Sequence, residues 1–118
     1  MEIHGVDMSV GLHHCSESEE IYSIVLKSVY MEGLETIELM KRAEIMGDYK
    51  KYEILMHGFK SIAASIGAIG LSHMAKLHEL AAKEKNIEFI RENKELFFEQ
   101  YEKLLLEISN NEKIMRSY

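Results

Sequence analysis

His57 is followed three residues later by Lys60, in the run Met56-His57-Gly58-Phe59-Lys60-Ser61. A neutral imidazole is a nucleophile near physiological pH and can attack an electrophilic phosphorus without strong activation. The i+3 spacing puts a cation beside the ring if the segment is helical, where it would offset the charge of a transferred phosphoryl group. At about 100° per residue, Tyr52, Leu55, Phe59, Ile62 and Ile66 lie within about 40° of the pole opposite His57. The histidine is therefore expected on the outer face of an amphipathic helix. Glu53, Lys60, Ser61 and Ala64 share its side, within about 60° by the same geometry. Ser61 and Ala64 are small enough to let another macromolecule approach the ring. Glu53 is expected either to orient a ring nitrogen or to be a solvated charge.

Other chemistry-bearing residues form weaker patterns. His13-His14-Cys15, with His4, His73 and His78, suggests a metal site, but the spacing supplies no recurring set of four ligands. Cys15 is the single cysteine and is expected to be a small apolar residue. His78 is expected at the edge of the core with a local partner. Neither a G-x-x-x-x-G-K-[ST] phosphate loop nor an Asp-rich Mg²⁺ cluster occurs.

The elements that must position these residues read as helices. A long helix is expected from Ser16 to about Met46, with Ser16 and Glu19 spaced as a capping box. Ile21, Val25, Leu26, Val29, Leu34, Ile37 and Ile45 would line its buried face, and Gly33 permits a bend or a break into two helices. Residues 3 to 14 are expected to form a short capping helix or an irregular arm. Gly47 would end the long helix and Asp48 would cap the next, which runs to about Ile66. Gly67 and Gly70 bracket a short link that makes the following helix an antiparallel neighbour. Asn86 would cap a last helix through about Ile108, and the charged stretch from Glu84 to Lys94 is expected in solvent. The expected architecture is an all-α antiparallel four-helix bundle with a short N-terminal helical extension. One domain would occupy residues 1–118, its core bundle about 17–109.

Composition agrees with a globular helical domain. In 118 residues, 47% are hydrophobic and 29% charged, and proline is absent. A formal charge of −6 argues against a broad nucleic-acid surface. No apolar run approaches the length of a transmembrane helix, and MEIHGVDMSVG lacks the basic and apolar blocks of a signal peptide. A cytoplasmic, monomeric protein without membrane insertion is the expectation.

His57-Gly58-Phe59-Lys60-Ser61, followed by Ile62-Ala63-Ala64-Ser65-Ile66-Gly67-Ala68 and Leu71, resembles the histidine-containing phosphotransfer (HPt) domain family of two-component signalling. His57, Lys60 and Gly67 match the family's pattern; Phe59 stands for its usual leucine and Ser61 for its usual glycine. The resemblance extends upstream through Gly5 to Leu12, Glu20-Ile21-Tyr22 and Leu26, and downstream through Met74, Glu79, Ala81, Ala82 and Tyr101. It implies that His57 accepts a phosphoryl group from a receiver-domain aspartate and returns it to another, with Lys60 as electrostatic support. Glu53, Ser61, Ala64 and Gly67 would shape the site or its docking floor. It further implies no autonomous ATP-dependent kinase activity and no intrinsic cofactor, with Mg²⁺ supplied by the receiver. Response-regulator receiver domains are the implied partners, with a hybrid histidine kinase as a further source of phosphoryl groups. Which ring nitrogen attacks is open from the residues alone, and the resemblance implies Nε2. The alternative is a helical adaptor domain without chemistry.

Overall fold

All but one of the helices, the one that follows Ala68, begin where a side chain supplies an oxygen to the first free N–H groups. In the computed structural model, which describes residues 2–117, α1 spans Met8–His14 behind Asp7, whose carboxylate accepts from the Ser9 N–H at 3.1 Å and the Ser9 hydroxyl at 2.6 Å. α2 spans Glu19–Ile45, α3 Tyr49–Ile66, α4 Ile69–Lys83, α5 Ile87–Ser109 and α6 Glu112–Met115. Ser18, Asp48, Asn86 and Asn111 cap α2, α3, α5 and α6 by accepting from the N–H three residues on. No strand occurs among the described residues. The fold is all-α, with four long core helices, α2 to α5, and short helices at either end.

The expected capping box of Ser16 and Glu19 does not form, and the cap lies two residues further on. Ser16 and Glu17 both have positive φ, 54° and 62°, so the chain is still turning there, and Ser18 takes the cap. α2 is one helix rather than two. Gly33 neither breaks nor caps it; a Cβ there would lie 2.6 Å from the Leu105 side chain, so the missing side chain lets α5 approach. Three of the expected core residues of α2 face solvent instead: Ile21, Leu34 and Ile45 are 49%, 60% and 78% exposed. The buried stripe runs through Tyr22, Leu26, Val29, Gly33, Ile37, Met40 and Glu44, and those three lie about 100° or more around the helix from its centre.

The link between α3 and α4 is tighter than expected. Gly70 belongs to α4, and the turn consists of Gly67 and Ala68. Gly67 is left-handed at φ 92°, and a Cβ on it would sit 2.0 Å from the Asp7 carbonyl oxygen. The N-terminal arm closes over this turn: the Asp7 N–H donates to the Gly67 carbonyl at 2.8 Å, and the Tyr22 hydroxyl donates to the Ile66 carbonyl at 2.7 Å. The free carbonyls at the end of α3 are thus satisfied from α1 and α2.

Packing of α2 to α5 buries Tyr22, Leu26, Met40, Tyr52, Met56, Ile90, Phe97, Leu105 and Ile108 almost completely. Phe59, from the inner face of α3, stacks on Tyr101 of α5 with ring centroids 4.0 Å apart and meets Phe97 edge-on at 6.0 Å. Cys15 is buried among these apolar groups. α6, which the residue pattern did not reveal, seats Ile114 in the core beside the start of α2. No described helix is long and apolar enough to cross a membrane.

Candidate functional site

Because the aromatic and aliphatic face of α3 is anchored by Tyr52, Met56, Phe59 and Ala63, the opposite face must point outward, and His57 is on it. Its side chain is 64% exposed. α3 and α4 form an antiparallel hairpin, tied by the Ser72 hydroxyl, which donates to the Lys60 carbonyl at 2.8 Å. His57 lies eleven residues before Ala68 and Glu79 eleven after it, so the hairpin places them side by side. The His57 Nδ1 is 2.7 Å from Glu79 Oε2, and the Lys60 ammonium donates to Glu79 Oε1 at 2.7 Å. One carboxylate therefore holds both residues of the His-x-x-Lys pair.

Glu79 is mostly covered, with 16% of its side chain exposed, against 27% for Lys60. Burial alone would raise its pKa, but the hydrogen bonds from Lys60 and His57, with their charges, outweigh that and hold the carboxyl below the usual glutamate range. It is therefore ionised near neutrality and has no proton to donate. The proton in its contact with His57 must sit on Nδ1, so that in the neutral tautomer this contact selects it is Nε2 that carries the lone pair.

The position of Glu79 depends on the residue before it. His78 lies in the core at 1% exposure, more deeply than the edge position expected of it. Its ring bonds to the Asn93 carbonyl, and its Nδ1 is 2.9 Å from the Tyr52 hydroxyl of α3. Burial lowers its affinity for a proton, which keeps it neutral, so Tyr52 donates to Nδ1 and the ring N–H goes to Asn93. Desolvation pushes the Tyr52 hydroxyl well above the ordinary tyrosine range, in keeping with a donor role. This buried pair, five residues from His57 on α3 and adjacent to Glu79 on α4, sets the register of the two helices at the site.

The remaining expected residues divide by position. Ser61 is exposed and Ala64 partly so on the same face as His57. Gly58, next to His57, has no heavy atom within 4 Å of where a Cβ would be, so the surface there is open. Glu53 is not the residue that orients the ring; it pairs with Lys50 at 3.7 Å, while Glu79 takes that place. Gly67 is remote from the imidazole and buried beneath Asp7, so its part is in the architecture of the hairpin and not in a docking floor. An apolar groove of about 600 Å³ between α2 and α3, lined by Ile24, Ser28, Ile54, Leu55, Gly58 and Ile62, adjoins the histidine through Gly58.

The histidines considered for metal binding do not assemble. His13 and His14 are exposed on α1, with His13 3.6 Å from Glu17, and His78 is committed to Tyr52. Among the described residues no group of three or more His, Cys, Asp or Glu is placed to hold a metal ion. Comparison with known proteins finds no matching family model, no matching curated protein and no matching solved structure.

Proposed function

We propose that this chain is a histidine phosphotransfer domain of a phosphorelay, in which His57 takes a phosphoryl group from an aspartyl phosphate on a receiver domain and gives it to another. The observation that carries this reading is the Glu79 carboxylate, which fixes the exposed His57 ring through Nδ1 and keeps Lys60 within reach. A nucleophile so arranged needs no base to remove a proton from its attacking atom, because Nε2 of this tautomer has none. What remains is orientation and charge compensation, which a docked partner and Lys60 supply. The residue pattern shared with HPt domains points the same way.

Receiver domains, a hybrid histidine kinase as a further donor, and a cytoplasmic setting belong to this proposal, as does Mg²⁺ bound by the receiver. No nucleic-acid partner and no cofactor of this chain's own are invoked. The small surface at Gly58, Ser61 and Ala64 lets a partner reach the ring, and the groove between α2 and α3 favours an adaptor role as the second reading, since it offers apolar contact without chemistry.

Incubation with phosphorylated receiver domains separates the two. The phosphotransfer reading expects an acid-labile, base-stable label on the chain that His57→Gln abolishes while far-UV circular dichroism stays unchanged. Equal labelling of the His57→Gln variant would overturn the assignment of His57. Binding of receivers with no label on any residue would favour the adaptor.

A further inference from the structure

Glu79 contacts His57 through the ring nitrogen that does not react, and its charge bears on the phosphorylated state as well as on the free one. We infer that Glu79 is a positioning residue that keeps Nδ1 of His57 protonated after Nε2 is phosphorylated, and so keeps the phosphohistidine competent to give its phosphoryl group away. This inference rests on the phosphotransfer reading and specifies how the site is made reversible.

The chemistry follows from proton and electron accounting. When Nε2 attacks an aspartyl phosphate, the N–P bond forms, the P–O bond breaks, and the aspartate carboxylate leaves with the electron pair. The proton on Nδ1 is not consumed. The product is a phosphorylated imidazolium whose Nδ1–H faces the Glu79 carboxylate at the hydrogen-bond distance present before transfer, 2.7 Å. In the return step an acceptor carboxylate attacks phosphorus, the N–P bond breaks, and its electron pair goes back to Nε2. With Nδ1 protonated, the leaving group is a neutral imidazole. Without that proton it would be an imidazolate anion, a far poorer leaving group. A carboxylate against Nδ1–H thus favours the form that can donate.

The other charges around the ring bear on the same equilibrium. Lys60, from α3, shares the Glu79 carboxylate and brings a positive charge to the same side of the ring. Glu53, also on α3, pairs with Lys50 at 3.7 Å. Lys76 and Lys83 lie a turn to either side of Glu79 on α4, both exposed, and Glu32 of α2 stands across the groove that begins at Gly58. Of these groups, Glu79 alone makes a hydrogen bond to His57 among the described residues. Lys60 is the cation bonded to that same carboxylate.

The test uses the whole chain loaded with phosphoramidate, which transfers its phosphoryl group with loss of ammonia and needs no partner protein. Phosphorus and nitrogen NMR identify the phosphorylated nitrogen, and the rate of N–P hydrolysis is followed from pH 5 to 9. Glu79→Gln keeps an oxygen that accepts the Nδ1–H and removes only the charge. The expected result is phosphorylation at Nε2 in both proteins, with the midpoint of the hydrolysis profile at least about one pH unit lower in Glu79→Gln. That shift corresponds to about tenfold slower hydrolysis at the alkaline end. Lys60→Met should move the midpoint the other way, and in urea all profiles should coincide because the contacts are gone. Donation to a receiver that labels the wild type should show the same order of pH midpoints.

Superimposed profiles for the folded wild type and Glu79→Gln, or shifts of the same sign in both variants, would overturn the role of Glu79 while leaving His57 as the carrier. A wild-type chain labelled at His57 by neither phosphoramidate nor any receiver would overturn the phosphotransfer reading, and this inference with it.

Discussion

At the scale of single residues, the site is a histidine and a lysine made into one unit by a glutamate. Lys60 and His57 are neighbours on α3, and the carboxylate between them removes the need for either to find the other directly. Loss of the Lys60 cation leaves a docked phosphoryl group facing Glu79 without compensation. Lys60→Ala is expected to slow transfer from a receiver by about tenfold, the worth of one charge-assisted hydrogen bond, with little change in thermal midpoint. Stopped-flow labelling with matched circular dichroism checks this, and unchanged forward and reverse rates would remove Lys60 from the mechanism. Gly58 makes the complementary case, because it sits mid-helix with open space around it. Gly58→Ala should raise stability by about 0.5–1 kcal/mol in urea titration through helix propensity alone.

At the scale of elements, the α3–α4 hairpin does the positioning. Its turn is the one place where a glycine is required both by backbone and by space: Gly67 is left-handed, and the Asp7 carbonyl occupies the volume of any side chain. Gly67→Val should cost more than about 2 kcal/mol, since strain and overpacking add, and should loosen the arm from the end of α3. Urea denaturation measures the loss, and retained stability with intact receiver affinity would contradict the assignment. The cap on α3 is a smaller effect. Asp48 accepts from the Lys51 N–H at 3.1 Å, and Asp48→Ala is expected to cost about 1 kcal/mol in the same assay. Neither change touches the imidazole, so labelling of the folded fraction should persist in both.

At the scale of the whole molecule, the notable burial is that of His78, a titratable group in the core between α3, α4 and α5. Its affinity for a proton is lowered in the folded state, so the unfolded chain binds that proton more readily. Stability is therefore complete above the unfolded histidine value of about 6.5 and is lost as pH falls below it, by at most about 1.4 kcal/mol per pH unit until the folded group also titrates. Urea midpoints between pH 7.5 and 5 should fall accordingly. A His78→Asn variant, less stable throughout, should show a shallower slope; an equal slope would assign the pH dependence elsewhere. Glu79, whose acidity is raised by its partners, contributes in a lower window: its stabilisation is present above the ordinary glutamate value and fades only as pH drops through the lowered one.

The sequence by itself determined the all-helical class, the extents of α3 and α5, and the face on which His57 sits. Local signals were sufficient for this: Asp48 and Asn86 as caps, Gly67 as a stop, and the spacing of Tyr52, Phe59 and Ile66 opposite the histidine. Those are properties of adjacent residues, and each is repeated by several of them. The tertiary structure decided what depends on which helix lies against which. It turned Ile21, Leu34 and Ile45 outward, because a helix with apolar residues on several sides buries only the stripe its neighbours cover. It made Gly33 a contact with Leu105, not a break, because only the approach of α5 gives the absent side chain a use. It put Glu79, and not Glu53, against the ring. Glu53 is the nearer carboxylate in sequence and on the same helix face, but the length of the turn at Gly67-Ala68 and the buried Tyr52–His78 pair set the register that brings Glu79 across. A contact between residues 57 and 79 is visible in the sequence only once that turn is known to be two residues long.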